Sequence, residues 1–199
     1  MERTTQKAII KRIRAKQRGW VFTPKEFVSL GPRTAVDQAL CRLREKGIIR
    51  RLAHGIYEYP RIHPQIGVLS PSVEAVANAV AARTNSRLLV SPAKAANLLG
   101  LSTQVPAQNM FMTEGPSRNV RIGNQLIILK HTAPSKMIGA GREAGIVIQA
   151  LRAFGPNGVN EIPVASISQK LPEAVKSEIR HLMSAVPAWL QPVLSGIVA

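Results

Sequence analysis

Four side chains suited to addressing nucleic acid, Arg33, Thr34, Gln38 and Arg42, fall within one stretch, Arg33–Lys46. Guanidinium, hydroxyl and carboxamide groups of this kind reach base edges or phosphates. They sit mainly in the N-terminal half of the stretch, the part that a helix-turn-helix reader inserts into the major groove. A second cluster follows at once: Arg50, Arg51, His54 and Tyr57 lie in the run Ile48–Tyr59. In a regular strand Arg50 and Arg51 point to opposite faces, so only one of them easily meets a polyanion, and the sequence leaves open which.

Residues that could support catalysis are thinner. His131 with Glu143, or His181 with Glu178, would form acid–base pairs only if folding brought them to a common cleft. There is no Gly-x-Ser-x-Gly elbow, no His-Glu-x-x-His helix and no paired-Asp nucleotidyltransferase signature, and Asp37 is the only aspartate. That scarcity disfavours metal-dependent phosphoryl transfer, which recruits aspartates to Mg²⁺. The glycines of Gly139–Gly145 invite a phosphate-loop reading, but neither the dinucleotide fingerprint nor the P-loop spacing is met, so a loop and a helix start are expected there. Cys41 is alone, which precludes an intramolecular disulfide and thiolate metal clusters; a redox role for it is weighed against simple surface placement and not adopted. No cofactor and no metal are expected.

Charge supports the polyanion reading. The 199 residues carry 27 Lys+Arg against 11 Asp+Glu, a net charge of +16, while 45% hydrophobic and 19% charged residues are ordinary for a globular chain. Through Arg61 there are 15 Lys+Arg and five Asp+Glu, so most of the excess lies in the first third. Pro60, Pro64, Gly67 and Pro71 then break periodicity, which gives the expected organisation: a DNA-binding domain over 1–61, a linker over 62–70 and a second domain over 71–199. Residues 1–18 interleave charges with apolar positions and lack the core of a secretory signal. The stretch Ala185–Ala199 is too short to span a bilayer and contains Pro187 and Pro192. A cytoplasmic protein with no membrane partner is expected.

The elements that must position these side chains can be read in turn. Thr5–Gln17 places Ile9, Ile10 and Ile13 on one face of an amphipathic helix. Thr23-Pro24-Lys25-Glu26 has the form of a capping box with proline at the first helical position, and Phe22 and Phe27 stand where a hydrophobic staple would. Leu30-Gly31-Pro32 ends that short helix, and a third runs from Arg33 to Lys46, closed by Gly47, with Val36, Ala39, Leu40 and Leu43 on its apolar face. Two β-prone runs joined by Ala53-His54-Gly55 complete a hairpin.

Beyond the linker the pattern is mixed. Helices are expected from Ser70-Pro71 to about Arg83, from Ser91-Pro92 to Gly100, over Gly141–Phe154 and over Pro172–Ala185. Strands are expected at Arg87–Val90, Asn109–Thr113, Asn119–Ile122 and Gln125–Lys130. The fold class is therefore α+β: an N-terminal winged helix-turn-helix domain followed by a mixed α/β C-terminal domain.

The runs Phe22–Phe27, Gly31–Leu40, Gly47–Arg51 and His54–Pro60 resemble the winged-helix domain of AbiEi-type antitoxins and their DUF6088 relatives, with a looser likeness over Ser91–Leu101. The resemblance implies a repressor of a bacterial toxin–antitoxin operon, whose C-terminal domain counters a cognate toxin, commonly a nucleotidyltransferase. The expected partners are then double-stranded DNA of the chain's own promoter and that toxin. The C-terminal domain can present a surface to a partner or supply homodimer contacts. The expected DNA-contacting set is Arg33, Thr34, Gln38, Arg42, Arg50, Arg51, His54 and Tyr57. The alternatives are a nucleic-acid-modifying enzyme that uses the basic module as a targeting arm, and an RNA-binding adaptor.

Overall fold

The computed structural model describes residues 2–199. The chain is a mixed α+β protein. It divides into two compact units, one running to Asn85 together with Val120–Ile127, the other comprising Ser86–Asn119 and Ile128–Ala199.

The first unit begins with helix α1 (Glu2–Ala15), strand β1 (Val21–Phe22) and a 3-10 helix (Pro24–Leu30), followed by helix α2 (Arg33–Glu45) and strands β2 (Arg50–Ala53) and β3 (Ile56–Glu58). Ile9 and Ile13 of α1, Phe22, Phe27 and the Val36, Ala39, Leu40 and Leu43 face of α2 form one buried cluster, as their helical spacing requires. The strands form an antiparallel sheet of order β1-β3-β2, with Phe22 opposite Tyr57 and Val21 opposite Glu58. Neighbouring residues of a strand face opposite sides, so Phe22 and Tyr57 join the helical core, while Val21, Ile56 and Glu58 face away from it. That second face is covered by helix α3 (Val73–Ala82), which packs on β1 and β3 through a side rich in buried Val and Ala.

The segment expected as a linker over 62–70 holds a small hairpin, β4 (Ile62–His63) paired with β5 (Gly67–Val68), and the first unit continues beyond it through α3. The cap of α3 is Ser72, whose hydroxyl accepts from Ala75 N, rather than Ser70. The start of the 3-10 helix also differs from the capping box expected there. Glu26 N donates to the Thr23 carbonyl at 3.1 Å, so the backbone uses the donor that the Thr23 hydroxyl would have taken. The staple does form, with the Phe22 and Phe27 rings edge to face at 5.4 Å.

The rest of the chain supplies β6 (Leu88–Val90), α4 (Pro92–Leu98), β7 (Asn109–Thr113), β8 (Arg118–Ile122) and β9 (Gln125–His131), in a four-stranded sheet of order β6-β7-β9-β8. Helices α5 (Glu143–Arg152), α6 (Gly155–Gly158), α7 (Val164–Lys170), α8 (Glu173–Leu182) and α9 (Gln191–Val198) follow. α5 is the centre of the second unit: every residue from Ala144 to Leu151 except Ile146 is buried. Its small residue Ala150 lets α4 approach with Ala95 and Ala96. At the start of the same helix Gly145 lies against the backbone of Gly139. A Cβ added to Gly139 would stand 2.6 Å from Gly145 Cα, and one added to Gly145 would overlap the Gly139 carbonyl. The glycines of Gly139–Gly145 thus serve close backbone packing. At the edge of the unit Arg87 donates through two nitrogens to Glu114, and these hydrogen bonds hold the Glu114 carboxyl below the ordinary carboxylate range.

Candidate nucleic-acid interface

α2 begins directly after Pro32, whose extended backbone turns the chain into the first helical residue, Arg33. With Val36, Ala39, Leu40 and Leu43 buried, the helix has to expose its other side, and Arg33, Thr34, Gln38 and Arg42 are all exposed there. Arg33 donates through Nε to Asp37 at 2.8 Å, one turn along, and both side chains are largely in solvent. That bond does not occupy the terminal amino groups of the guanidinium.

The hairpin answers the question that sequence left open. Arg50 turns inward: its Nε donates to Glu58 Oε2 at 2.5 Å and its terminal nitrogen to the Leu69 carbonyl at 2.5 Å. Glu58 is wholly buried, so Arg50 neutralises an internal carboxylate. Tyr57 is also inward, half-buried and stacked on Phe22 with ring centroids 6.1 Å apart. Arg51 and His54 are exposed. Arg51 lies on the edge strand β2 and donates to the Ala53 carbonyl at 3.3 Å, with a terminal nitrogen 2.9 Å from His54 Nδ1. The turn at His54–Gly55 depends on a left-handed Gly55, φ +67°, and the pairing shifts between Arg51 and Ala53. Six of the eight expected residues are therefore exposed at the surface, while Arg50 and Tyr57 turn into the packing of the sheet.

Two further cations join this surface, Lys25 and Arg83. Lys25 Nζ donates to Asn85 Oδ1 at 2.6 Å and to the Ala82 carbonyl at 3.3 Å, closing the C-terminus of α3. Arg83 donates to the His54 carbonyl at 3.4 Å. Together with Arg33 and His54 they line a cavity of about 220 Å³ that also takes in Thr23 and Gly55. Sequence reading missed both because each contributes through tertiary position: Arg83 caps the C-terminus of α3, a helix expected to lie in the other domain.

The residues weighed for catalysis are placed differently. The His131 ring meets the Gly115 carbonyl at 3.0 Å and the His181 ring the Ser177 carbonyl at 2.7 Å, both ordinary backbone contacts. Cys41 lies 3.3 Å from Glu45 Oε1 on the outer side of α2. Among the described residues no group of three or more His, Cys, Asp or Glu is placed to hold a metal ion, and no helix is long and apolar enough to cross a membrane.

A family model described as "Family of unknown function (DUF6088)" matches residues 8–179, most of both units. The chain belongs to the DUF6088 family. No curated protein sequence matches this DUF6088 chain. Among solved structures it is similar to the RV2827C protein from Mycobacterium tuberculosis, at 15% identity and a TM-score of 0.41 over 97% of this chain and 81% of that one. A likeness that slight bears on neither fold nor activity.

Proposed function

We propose that this DUF6088 protein is a DNA-binding transcriptional repressor whose first unit acts as a winged helix-turn-helix, with α2 in the major groove and the β2–β3 hairpin as the wing. The observation that carries the reading is the outer face of α2: Arg33, Thr34, Gln38 and Arg42 stand exposed opposite a fully buried apolar side. The order of elements supports it too, because a helical turn precedes α2 and the hairpin that follows pairs with β1. Arg51 and His54 add positive or hydrogen-bonding groups at the hairpin edge and tip, where phosphate or the minor groove would lie.

The reading extends to the antitoxin of a toxin–antitoxin operon, acting in the cytoplasm and repressing its own promoter, with the second unit engaging the toxin. Its support is the likeness of Phe22–Phe27, Gly31–Leu40 and His54–Pro60 to AbiEi-type antitoxins. The test is fluorescence anisotropy of the full chain on its own promoter and on random duplex across a salt series. Affinity is expected to fall with a log–log slope of about −0.9 per neutralised phosphate and to favour the promoter. Equal affinity for both duplexes removes the repressor reading. Co-expression with the neighbouring reading frame tests the antitoxin part, and unrelieved toxicity removes it.

A further inference from the structure

We infer that the cavity between the 3-10 helix, the start of α2, the hairpin tip and the end of α3 is a binding site for a single phosphate group. Four basic side chains from four separate elements, Lys25, Arg33, His54 and Arg83, line it, and none of its lining residues is acidic. At about 220 Å³ it has room for a phosphate with part of whatever carries it. Gly55 opens the approach. Even a Cβ at that position would come within 3.9 Å of the Arg83 guanidinium, so any larger side chain would compete with a ligand for the arginine.

A second observation is independent of charge. Thr23 lines the cavity, is only 2% exposed, and its Oγ1 is a buried hydroxyl with no hydrogen-bond partner. A buried hydroxyl left unpaired is costly, and the capping role that would have satisfied it is taken by the Thr23 carbonyl. A phosphate oxygen would accept from it. The guanidiniums are suited to the same ligand: the Arg33 bond to Asp37 runs through Nε, and the Arg83 bond to the His54 carbonyl is long at 3.4 Å. Lys25 spends hydrogen bonds on the end of α3 and contributes to the cavity mainly as charge.

The phosphate can come from the DNA backbone or from a free phosphorylated small molecule. Only the first source rests on the DNA-binding reading. The experiment is a titration of the full chain with inorganic phosphate at constant ionic strength, followed by amide chemical shifts, with chloride as the reference anion. Saturable shifts are expected at Thr23, Gly55 and Arg83. Arg33→Gln and Arg83→Gln should each weaken phosphate by about tenfold, the loss of one charge-assisted hydrogen bond. Thr23→Val, which keeps shape and removes only the hydroxyl, should weaken it with the fold intact. Shifts that follow chloride, or unchanged phosphate affinity in both arginine variants, overturn the site. Repeating the titration on the promoter complex separates the sources: suppression of phosphate binding assigns the site to backbone phosphate, and retained binding assigns it to a free anion. Phosphate binding without any duplex binding keeps the site and removes the repressor reading.

Discussion

Arg50→Ala and Arg51→Ala should separate folding from nucleic-acid binding at two adjacent residues. Arg50 is the sole cation bonded to Glu58 among the described contacts, and Glu58 is 0% exposed while the Arg50 side chain is 33% exposed. Removing one partner of a buried pair costs about 3–5 kcal/mol, because the other charge stays buried without compensation. The value here should lie near the low end, about 3 kcal/mol, because solvent can enter the space that the partly exposed arginine leaves. At roughly 4–8 °C per kcal/mol for a unit of this size, the melting transition of the first unit falls by roughly 12–24 °C. Arg51→Ala removes an exposed side chain from an edge strand and should change stability by no more than about 0.5 kcal/mol. It should instead reduce the salt slope of DNA binding by about one. Thermal melts and anisotropy salt series on both variants make the comparison. A stable Arg50→Ala protein with weakened DNA binding, beside a destabilised Arg51→Ala protein, would refute the assignment of faces.

Gln38→Ala should cost about 1–3 kcal/mol on the promoter and little on random duplex, measured by competitive anisotropy. An equal loss on both duplexes would make it a phosphate contact. Gly145→Ala should destabilise the second unit by about 1–3 kcal/mol in denaturant melts, since its Cβ would overlap the Gly139 carbonyl; an unchanged midpoint would contradict that packing. Glu114→Gln tests a linkage. The folded Glu114 carboxyl is held low first by its hydrogen bond from Arg87, so its contribution is complete above the unfolded value of about 4.3 and fades as pH falls through the lowered one. The wild type should therefore exceed the variant in stability at neutral pH and converge with it in acid, by a small amount because the pair is solvent-screened; a gap that widened in acid would reverse the sign.

What was legible in the sequence was whatever local chemistry determines. The heptad-like spacing of Val36, Ala39, Leu40 and Leu43 located α2, Gly55 located the turn, and Ser91-Pro92 located α4, whose cap the Ser91 hydroxyl makes to Lys94 N. Strand β7 has the expected bounds, Asn109–Thr113. The capping box failed because a 3-10 turn consumes its donor within the backbone, a choice that residue types do not reveal. The β4–β5 hairpin was hidden by Pro64 and Gly67, which read as linker punctuation and here border a turn. Short helices α7 and α9 lack strong caps, and α9 lies in an apolar stretch. The inward turn of Arg50 depended on Glu58 being buried, and that depends on α3, more than a dozen residues further along the chain.

That dependence reaches the candidate surface itself. A hairpin with one free face would show apolar-in, polar-out alternation, yet Ile56, Tyr57 and Glu58 are all buried or half-buried because the helical core takes one side and α3 the other. Only the edge strand and the turn remain for a ligand, which is where Arg51 and His54 stand. α3 does more than cover the sheet. Its C-terminal end is tied to the 3-10 helix through Lys25 and to the hairpin tip through Arg83, so it fixes the distance between the start of α2 and the turn at His54. Cations held in register by internal hydrogen bonds need little further ordering when a phosphate arrives, and a preorganised site keeps more of its interaction energy as affinity. The same bonds bring Lys25 and Arg83 to the cavity that Arg33 and His54 also line, so one helix end ties together cations from separate parts of the first unit.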